Sequence, residues 1–484
     1  MKELLLFSHI NAECGARVPL RDFNFSVFEG EVIYLIGNER AGKSTVLELI
    51  EGKADITGGR VYYKECAVRD YNEYFAKEHG IFCINHKNML FEDMSLWDNV
   101  FLSGKQTRLF SRKSADEQQL LSTFMELTGL DRPAHIPVKE LSVYEKFLLS
   151  VIKALVHHGK ILVIDIIRLP INYLELQRLE GLLRRLKQNG LTVILVHIRI
   201  TELLFNVDRV LVMKNGTDMK LFSKNCFTRE DILQCFIGDL SSLTKTPSMH
   251  PVDAKFIISD EYNKIFLRMN AGEILGVCDI AGNSHSDFGT KFPSIFETLK
   301  IRQDSCKMSM TLALPAAFNN VKGDQVFIPS DSASRLFYRM SLADNLSISK
   351  MPGLCVGTLN SARLSRALQM DFVQRFHLPE NISDIKNLSK VTQKIISIFR
   401  WEILNPKCIL LENPFFDLDD ASTKILTDYL ASLSAKGIMI LILSDNLESL
   451  RSSCASILLL CEDQFKYVYH PGESDSNIVR WLEQ

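Results

Sequence analysis

Apolar residues form short, nearly continuous runs along this chain, and stretches of helical pattern separate the runs. The clearest are "EVIYLIG" (31–37), "ILVID" (161–165), "TVILVHI" (192–198) and "MILILSD" (439–445). Strands that are apolar on both faces are typical of parallel sheets that helices cover on both sides. The pattern therefore predicts an α/β fold with buried parallel strands.

Four landmarks occur twice, in one order and at nearly one spacing. "MSLWDN" begins at Met94 and "MSLADN" at Met340, and the other pairs are "KELSVYEK" with "KNLSKVTQK", "GKILVID" with "PKCILLE", and "EGEVIYLIG" with "AGEILGVCD". Such self-similarity predicts two copies of one domain. The predicted boundaries are 1–216 for the first copy, 217–252 for a joint and 253–484 for the second copy.

The segment "GNERAGKST" (37–45) has the spacing of a nucleoside-triphosphate phosphate loop, between a predicted strand and a predicted helix. In such a loop, glycines let the backbone amides approach the phosphates, the lysine neutralises phosphate oxygens, and the helix N-terminus adds positive charge. We therefore expect this segment to bind ATP. The predicted nucleotide-binding residues are Gly37, Asn38, Glu39, Arg40, Ala41, Gly42, Lys43, Ser44 and Thr45.

Asp165 ends the apolar run "ILVID", where an acid can bind the magnesium ion of Mg-ATP. Ser44 and Asp165 are therefore the predicted Mg²⁺ residues. The next residue is Ile166, which cannot accept a proton from a water molecule. Since loss of a general base typically slows a reaction by about 10²–10⁴, hydrolysis is expected to be weak or absent.

The order of phosphate loop, "MSLWDN" segment, Leu-Ser helix and acid-tipped strand, present twice, resembles that of the tandem ATP-binding subunits of bacterial monosaccharide ABC importers of the ribose/galactose type. The resemblance covers nearly the whole chain. It implies two ABC-type P-loop domains, each a mainly parallel core sheet flanked by helices, with an antiparallel β subdomain and a helical subdomain. It also implies work with the transmembrane subunits of a permease and, through them, with a sugar-binding protein. The implied location is cytoplasmic, peripheral on the inner face of the cell membrane.

Several positions depart from the family pattern, so no catalytic residue is expected to be intact. His86 stands at the position of the family's glutamine that senses Mg²⁺ and water, and Tyr144 replaces a signature glycine in "LSVYE". Ser142 and Glu145 instead form the pattern of a capping box. Ile198 falls at the position of the γ-phosphate-sensing histidine, with His197 one place earlier. His86 and His197 are the candidate contacts for water or the γ-phosphate.

The second copy has lost most of its phosphate loop. In "VCDIAGNSHSDF" (277–288), Gly282 alone remains of the glycine framework, and His285 stands in the lysine position. Asp279 and Asp287 add negative charge, so strong ATP binding is not expected here. The resemblance also implies that Ser389 of "LSKVT" faces the nucleotide held by the first copy's loop.

The charge balance, 56 basic against 58 acidic residues, does not indicate a nucleic acid partner. The longest apolar runs are shorter than a bilayer span, and the N-terminus lacks the pattern of a signal peptide. Eleven cysteines without a C-x-x-C pair indicate reduced thiols. Two alternatives to a weakly hydrolysing ATP-binding subunit stay open. One is an active ATPase that energises monosaccharide uptake, and the other is a non-catalytic regulatory module or scaffold.

Overall fold

The chain folds as two compact units, Met1–Thr244 with Asp419–Ala421, and Lys245–Leu418 with Ser422–Gln484. The boundaries predicted at 216 and 253 stay a prediction. The computed structural model describes residues 2–15, 18–85, 90–101, 115–167, 169, 171–201, 203, 206–237, 252–259, 265–279, 300–303, 309–311, 321–322, 325–330, 336–350, 358–379, 382, 384–461 and 464–469.

The first unit contains ten strands and seven helices among its described residues. The strands are β1 (Glu3–Glu13), β2 (Leu20–Phe28), β3 (Val32–Gly37), β4 (Asp55–Tyr63), β5 (Cys66–Val68), β6 (Ile81–Ile84), β7 (Ile161–Asp165), β8 (Thr192–His197), β9 (Arg209–Lys214) and β10 (Thr217–Ser223). The helices are α1 (Lys43–Ile50), α2 (Glu73–Glu78), α3 (Leu96–Phe101), α4 (Ala115–Thr128), α5 (Val143–Val156), α6 (Tyr173–Gln188) and α7 (Arg229–Ile237). A 3₁₀ turn covers Val138–Glu140.

The main sheet of the first unit has the strand order β10-β9-β3-β8-β7-β6. All of its neighbouring strands pair in parallel except β10, which closes one edge as the antiparallel partner of β9. The parallel strands therefore end at one edge, where Gly37, Asp165 and His197 are the last residues of their strands. A second, antiparallel sheet has the order β2-β1-β4-β5.

Helices and the antiparallel sheet cover the two faces of the main sheet. One face packs against α5 and α6, where Leu179, Leu182, Leu183 and Leu186 form a buried stripe at helical spacing. The other face packs against α1 and the antiparallel sheet, through a cluster that includes Ile33 and Leu35. Burial on both faces explains why the central strands are apolar at almost every position.

The second unit repeats this architecture among its described residues. Its strands are β11 (Val252–Ser259), β12 (Ile265–Ala271), β13 (Ile274–Asp279), β14 (Lys300–Gln303), β15 (Ser309–Thr311), β16 (Val321–Lys322), β17 (Gln325–Ile328), β18 (Cys408–Glu412), β19 (Met439–Ser444), β20 (Ser456–Cys461) and β21 (Gln464–Tyr469). Its helices are α8 (Leu342–Ser347), α9 (Thr358–Arg375), α10 (Lys390–Glu402), α11 (Asp420–Ser434) and α12 (Leu447–Arg451), with 3₁₀ turns at Ile348–Lys350 and Ile385–Asn387.

The two sheets of the second unit have the orders β16-β17-β18-β19-β13-β20-β21 and β12-β11-β14-β15. Apart from the additional β16, both orders match those of the first unit strand for strand. The duplication predicted from the sequence is therefore present in the topology, and the predicted fold class is confirmed: each unit has a mainly parallel core sheet, an antiparallel sheet and a helical part.

A buried asparagine in each "MSLxDN" segment shows how closely the copies agree. Asn99 is 1% exposed, and its side chain accepts a hydrogen bond from Phe91 N–H at 2.7 Å and donates one to Phe91 O at 3.0 Å. Asn345 is 0% exposed and makes the same two bonds with Phe337, at 2.9 and 3.0 Å. In each copy, the asparagine side chain thus satisfies both the N–H and the C=O of a residue that precedes the helix, as a neighbouring β-strand would.

We expect Asn99→Ala to lower the free energy of unfolding of the first unit by about 2–4 kcal/mol, because the peptide N–H and C=O of Phe91 both lose the partner that the buried Asn99 side chain provides. Asn345→Ala should have an effect of similar size on the second unit. Denaturant unfolding measures both. Asn189→Ala, which removes one exposed hydrogen bond at the end of α6, should change stability by less than about 1 kcal/mol. Equal effects at positions 99 and 189 would contradict the role given to Asn99.

Part of the predicted joint folds with the first unit. β10 pairs with β9. The buried side chains of Phe222 and Ile232 belong to the same core cluster as residues of α5 and α6. No helix among the described residues is long and apolar enough to span a bilayer.

Candidate functional site

The predicted phosphate loop connects the end of β3 to the start of α1. Gly37 is the last residue of the strand, and Lys43 is the first residue of the helix. Gly42 precedes the helix with a left-handed backbone, φ 98°, and no side chain caps the helix start. Gly42 therefore supplies no side-chain cap to the first turn of α1, and a helix N-terminus that follows a glycine turn is a place where an anion can bind.

The ammonium group of Lys43 lies against the loop. Its Nζ donates to Gly37 O at 2.6 Å and to Asn38 O at 2.7 Å, and the residue is 6% exposed. The lysine is therefore held at the loop by backbone carbonyls, in the place where the sequence predicts it to meet phosphate oxygens.

Glycine is required at two positions around the loop. A Cβ on Gly37 would lie 2.7 Å from Ala41 Cβ and 2.9 Å from Met213 O. Gly216, in the turn between β9 and β10, has φ 82°, and a Cβ there would lie 2.0 Å from Pro19 O. Gly216 N–H donates to Ala41 O at 2.9 Å, so this turn supports the loop. The sequence interpretation did not include Gly216, although the "KNG" turn after a strand was a visible signal.

The remaining loop side chains have different surroundings. Asn38 and Glu39 are half-buried, whereas Arg40 is exposed and has φ 64°. Ser44 is exposed at the first turn of α1. Thr45 is buried, and its hydroxyl donates to Val18 O at 2.7 Å, which ties α1 to the segment before β2.

Asp165 lies half-buried at the end of β7, where its Oδ1 accepts a hydrogen bond from Ile167 N–H at 3.0 Å. Ser44 and Asp165 offer hydroxyl and carboxylate oxygens, the hard ligands that Mg²⁺ prefers. Ser44 follows β3 and Asp165 ends β7, and these two parallel strands end at the same edge of the sheet. The residue types and their positions in the sheet therefore suit a magnesium-bound nucleotide. Ile166 is 3% exposed and packs in the core on the α5 and α6 face, and its N–H donates to Val196 O at 3.1 Å.

His197 ends β8 beside the phosphate loop, with Ile36 as its partner across the strand pair. Its ring meets the ring of Tyr34 edge-on, with 6.3 Å between centroids. Burial, with smaller contributions from the charges of Arg199 and Lys43, lowers the pKa of His197 to about 4. The imidazole is therefore neutral in the folded protein at neutral pH. Ile198, the next residue, is 9% exposed.

The pKa of His197 predicts a loss of stability in mild acid. Because folding lowers this pKa from 6.5 to about 4, the unfolded chain binds the proton more tightly. The contribution of neutral His197 to the free energy of unfolding is complete above pH 6.5 and is lost as the pH falls towards 4. At pH 5 the loss should be about 2 kcal/mol.

The measurement compares the free energy of unfolding at pH 7.5 and pH 5. His197→Gln should reduce the difference by about 2 kcal/mol. His135→Gln removes an exposed imidazole and should leave the difference as in the parent chain. An unchanged difference in His197→Gln would contradict the lowered pKa of this half-buried ring.

The first Leu-Ser helix begins as the capping box predicted from the sequence. Ser142 Oγ accepts from Glu145 N–H at 3.2 Å, and Glu145 Oε2 accepts from Ser142 N–H at 2.8 Å. Tyr144, in the first turn of α5, is 5% exposed and belongs to the core that α5 and α6 form with the main sheet, with its ring 5.8 Å from that of Phe147. The residue at the signature-glycine position thus has a structural role in its own unit.

The second Leu-Ser helix, α10, also begins with a serine cap, without the reciprocal bond of a capping box. Ser389 Oγ accepts a hydrogen bond from Thr392 N–H at 3.3 Å, and Val391 is 5% exposed. The Lys390 ammonium donates to Asp417 Oδ2 at 3.2 Å, which offsets part of its charge. The expected contact of Ser389 with nucleotide stays a prediction.

Two predicted features lie wholly or partly outside the described residues. One is His86, and the other is the second phosphate-loop position, of which Gly282, His285 and Asp287 are not described. Asp279 is described, half-buried at the end of β13.

Comparison with known proteins agrees with this geometry. The family model for the ABC transporter matches residues 20–165, a range that includes the phosphate loop, the Leu-Ser helix and Asp165. The ATP-binding cassette of an ABC transporter in its ADP conformation matches 48% of this chain and 94% of its own, at 21% identity and a TM-score of 0.43. The first unit thus contains the segment that the ABC transporter family model matches, and the chain resembles ATP-binding-cassette proteins.

Two curated relatives match nearly the whole chain. The ribose import ATP-binding protein of Clostridium tetani is 23% identical over 465 residues, which cover 92% of this chain and 90% of the relative. A ribose import ATP-binding protein of Rhizobium etli is 25% identical over 488 residues, covering 96% and 93%. The chain thus resembles the tandem ATP-binding subunits of monosaccharide importers, as the sequence predicted.

Proposed function

We propose that the chain is an ATP-binding subunit of the carbohydrate-importer type, which binds Mg-ATP at the first unit and hydrolyses it weakly or not at all. The geometry of the phosphate loop is the observation that supports the assigned nucleotide site. Its glycines are sterically required, its lysine lies at the loop carbonyls, and helix α1 begins directly after Gly42, which provides no side-chain cap. Backbone amides in this arrangement bind phosphate oxygens, and the Lys43 ammonium neutralises their charge. Ser44 and Asp165 would hold Mg²⁺, which supplies further neutralisation of the triphosphate.

The surroundings of Ile166 support weak hydrolysis. Its side chain is apolar and is packed in the core rather than open to solvent. Nothing at this position can accept the proton of an attacking water. The neutral imidazole of His197 is the candidate hydrogen-bonding group for the terminal phosphate, and its low pKa makes it a poor general base.

The proposed partners follow from the functions by which the relatives are named. Ribose import ATP-binding proteins match this chain along nearly its whole length. We propose that it works with the transmembrane subunits of a permease and, through them, with a sugar-binding protein. Its proposed location is the cytoplasmic face of the membrane. Genes for a permease and a sugar-binding protein beside the gene for this chain would support the pairing.

We expect saturating Mg-ATP to raise the free energy of unfolding by about 2.7 kcal/mol when the free ligand is at 100 times its Kd. Lys43→Ala should abolish this increase, because the loop loses its cation. Thermal unfolding with and without Mg-ATP measures the shift for each variant separately. Lys77→Ala, which removes an exposed lysine paired with Glu73, should retain the full shift. A shift that survives Lys43→Ala would refute the assigned site.

Two further measurements separate the alternatives. Steady phosphate release that Lys43→Ala abolishes would favour an active ATPase over the weakly hydrolysing subunit. Absence of any Mg-ATP shift in the parent chain would favour a scaffold that has lost nucleotide binding.

A further inference from the structure

A buried tyrosine hydroxyl lies behind the candidate phosphate contact. Tyr34 stands in the middle of β3, three residues before Gly37, and is 0% exposed. Its hydroxyl donates to Arg199 O at 2.9 Å and lies 3.1 Å from the hydroxyl of Thr201, which is 4% exposed. Tyr34 therefore ties the central strand to the segment that follows His197.

The same peptide contacts the imidazole. His197 Nδ1 lies 3.1 Å from both Arg199 N and Arg199 O. Two arrangements satisfy these distances. Either Nδ1 accepts from Arg199 N–H and the ring proton is on Nε2, or Nδ1 carries the proton and donates it to Arg199 O.

The Tyr34 hydroxyl favours the first arrangement. It already donates to Arg199 O, so that carbonyl has one hydrogen bond without the histidine. Arg199 N–H, in contrast, finds an acceptor in Nδ1 only when Nδ1 is unprotonated. In the first arrangement, the hydrogen bonds form a chain in which each donor has an acceptor. Thr201 O–H donates to Tyr34, Tyr34 O–H donates to Arg199 O, and Arg199 N–H donates to His197.

We propose that Tyr34 is a positioning residue that selects the Nε2–H form of His197, so that the ring presents a neutral donor to the terminal phosphate of a bound nucleoside triphosphate. Nε2 makes no hydrogen bond with the residues that the structure describes, and His197 lies beside the strand that enters the phosphate loop. A neutral N–H donor contacts a terminal phosphate oxygen without the need to gain or lose a proton. This inference rests on the proposed nucleotide site.

The test uses Tyr34→Phe in the full chain, with Tyr71→Phe as the matched control. The control also removes one buried tyrosine hydroxyl in the first unit, which donates to Ile50 O at 2.6 Å. Nitrogen NMR of ¹⁵N-histidine-labelled protein, with the His197 signals assigned from their loss in His197→Gln, reports the tautomer without any nucleotide. We expect Nε2–H in the parent chain and in Tyr71→Phe, and a shift towards Nδ1–H in Tyr34→Phe.

The second readout is the ratio of ADP to ATP dissociation constants. Tyr34→Phe should lower the preference for ATP about ten- to a hundredfold, the size of one hydrogen bond to a charged group, while ADP binds as before. A parent ring protonated at Nδ1, or an ATP preference that changes equally in both variants, would overturn the inference. A parent chain that binds neither nucleotide would instead refute the proposed function, whereas the NMR result would still test the hydrogen-bonded chain.

Discussion

Arg209→Met is expected to lower the free energy of unfolding of the first unit by about 3–5 kcal/mol, because it leaves a buried carboxylate without its cation. Glu31 is 0% exposed. The Arg209 guanidinium contacts both of its oxygens, with Nε 2.8 Å from Oε2 and Nη2 2.6 Å from Oε1. Nη2 also donates to Ser26 O at 2.5 Å, and the guanidinium lies 4.8 Å from the ring centre of Phe28. Denaturant unfolding measures the loss.

Two variants make this prediction specific. The double variant Glu31→Gln, Arg209→Met should recover much of the loss, since the uncompensated charge is gone. Arg184→Met breaks an exposed pair with Glu180, in which the arginine side chain is 68% exposed, and should cost less than about 1 kcal/mol. If Arg209→Met and Arg184→Met lost the same free energy of unfolding, the buried ion pair would contribute no more to stability than the exposed one. Because Glu31 and Arg209 lie at the starts of β3 and β9, away from the phosphate loop, the Mg-ATP shift should survive in Arg209→Met.

The fold was largely predictable because its determinants are local and occur twice. Continuous apolar runs predicted the central parallel strands, and two copies of one pattern predicted two sheets of matching order. The Ser142–Glu145 capping box was also readable, since its partners are three residues apart. In contrast, the Glu31–Arg209 pair joins residues that are 178 positions apart. Such a pair becomes visible only when β3 and β9 are placed side by side.

The candidate site was predictable in its backbone and less so in its side chains. The spacing of Gly37, Gly42 and Lys43 predicted the loop, because the motif encodes a backbone shape. The burial of Ile166 and Tyr144, and the hydroxyl of Tyr34 behind His197, depend on tertiary packing. A residue that departs from the family pattern indicates which catalytic group is absent. The surrounding structure shows what the replacement side chain contacts.

Ile166→Glu is therefore expected to destabilise the first unit rather than restore rapid hydrolysis. The Ile166 side chain is 3% exposed and packs in the core between the sheet and the helices α5 and α6. A carboxylate in that position loses its hydration, and we expect the free energy of unfolding to fall by about 3–5 kcal/mol at pH 7.5. Thermal or denaturant unfolding, together with phosphate release, measures the two consequences in one preparation.

The pH dependence of this variant distinguishes a buried from a solvated carboxyl group. Burial raises the pKa of a carboxyl group in the folded state, so the folded protein retains the proton more tightly than the unfolded chain. The loss of stability should then diminish as the pH falls towards 4.5. Ile166→Gln, which is similar in size and does not ionise, should lack this trend, and Ile166→Leu should cost less than about 1.5 kcal/mol. If Ile166→Glu keeps the parent's stability and releases phosphate rapidly, the carboxylate reaches the nucleotide, and the low hydrolysis of the parent chain is due to this single side chain.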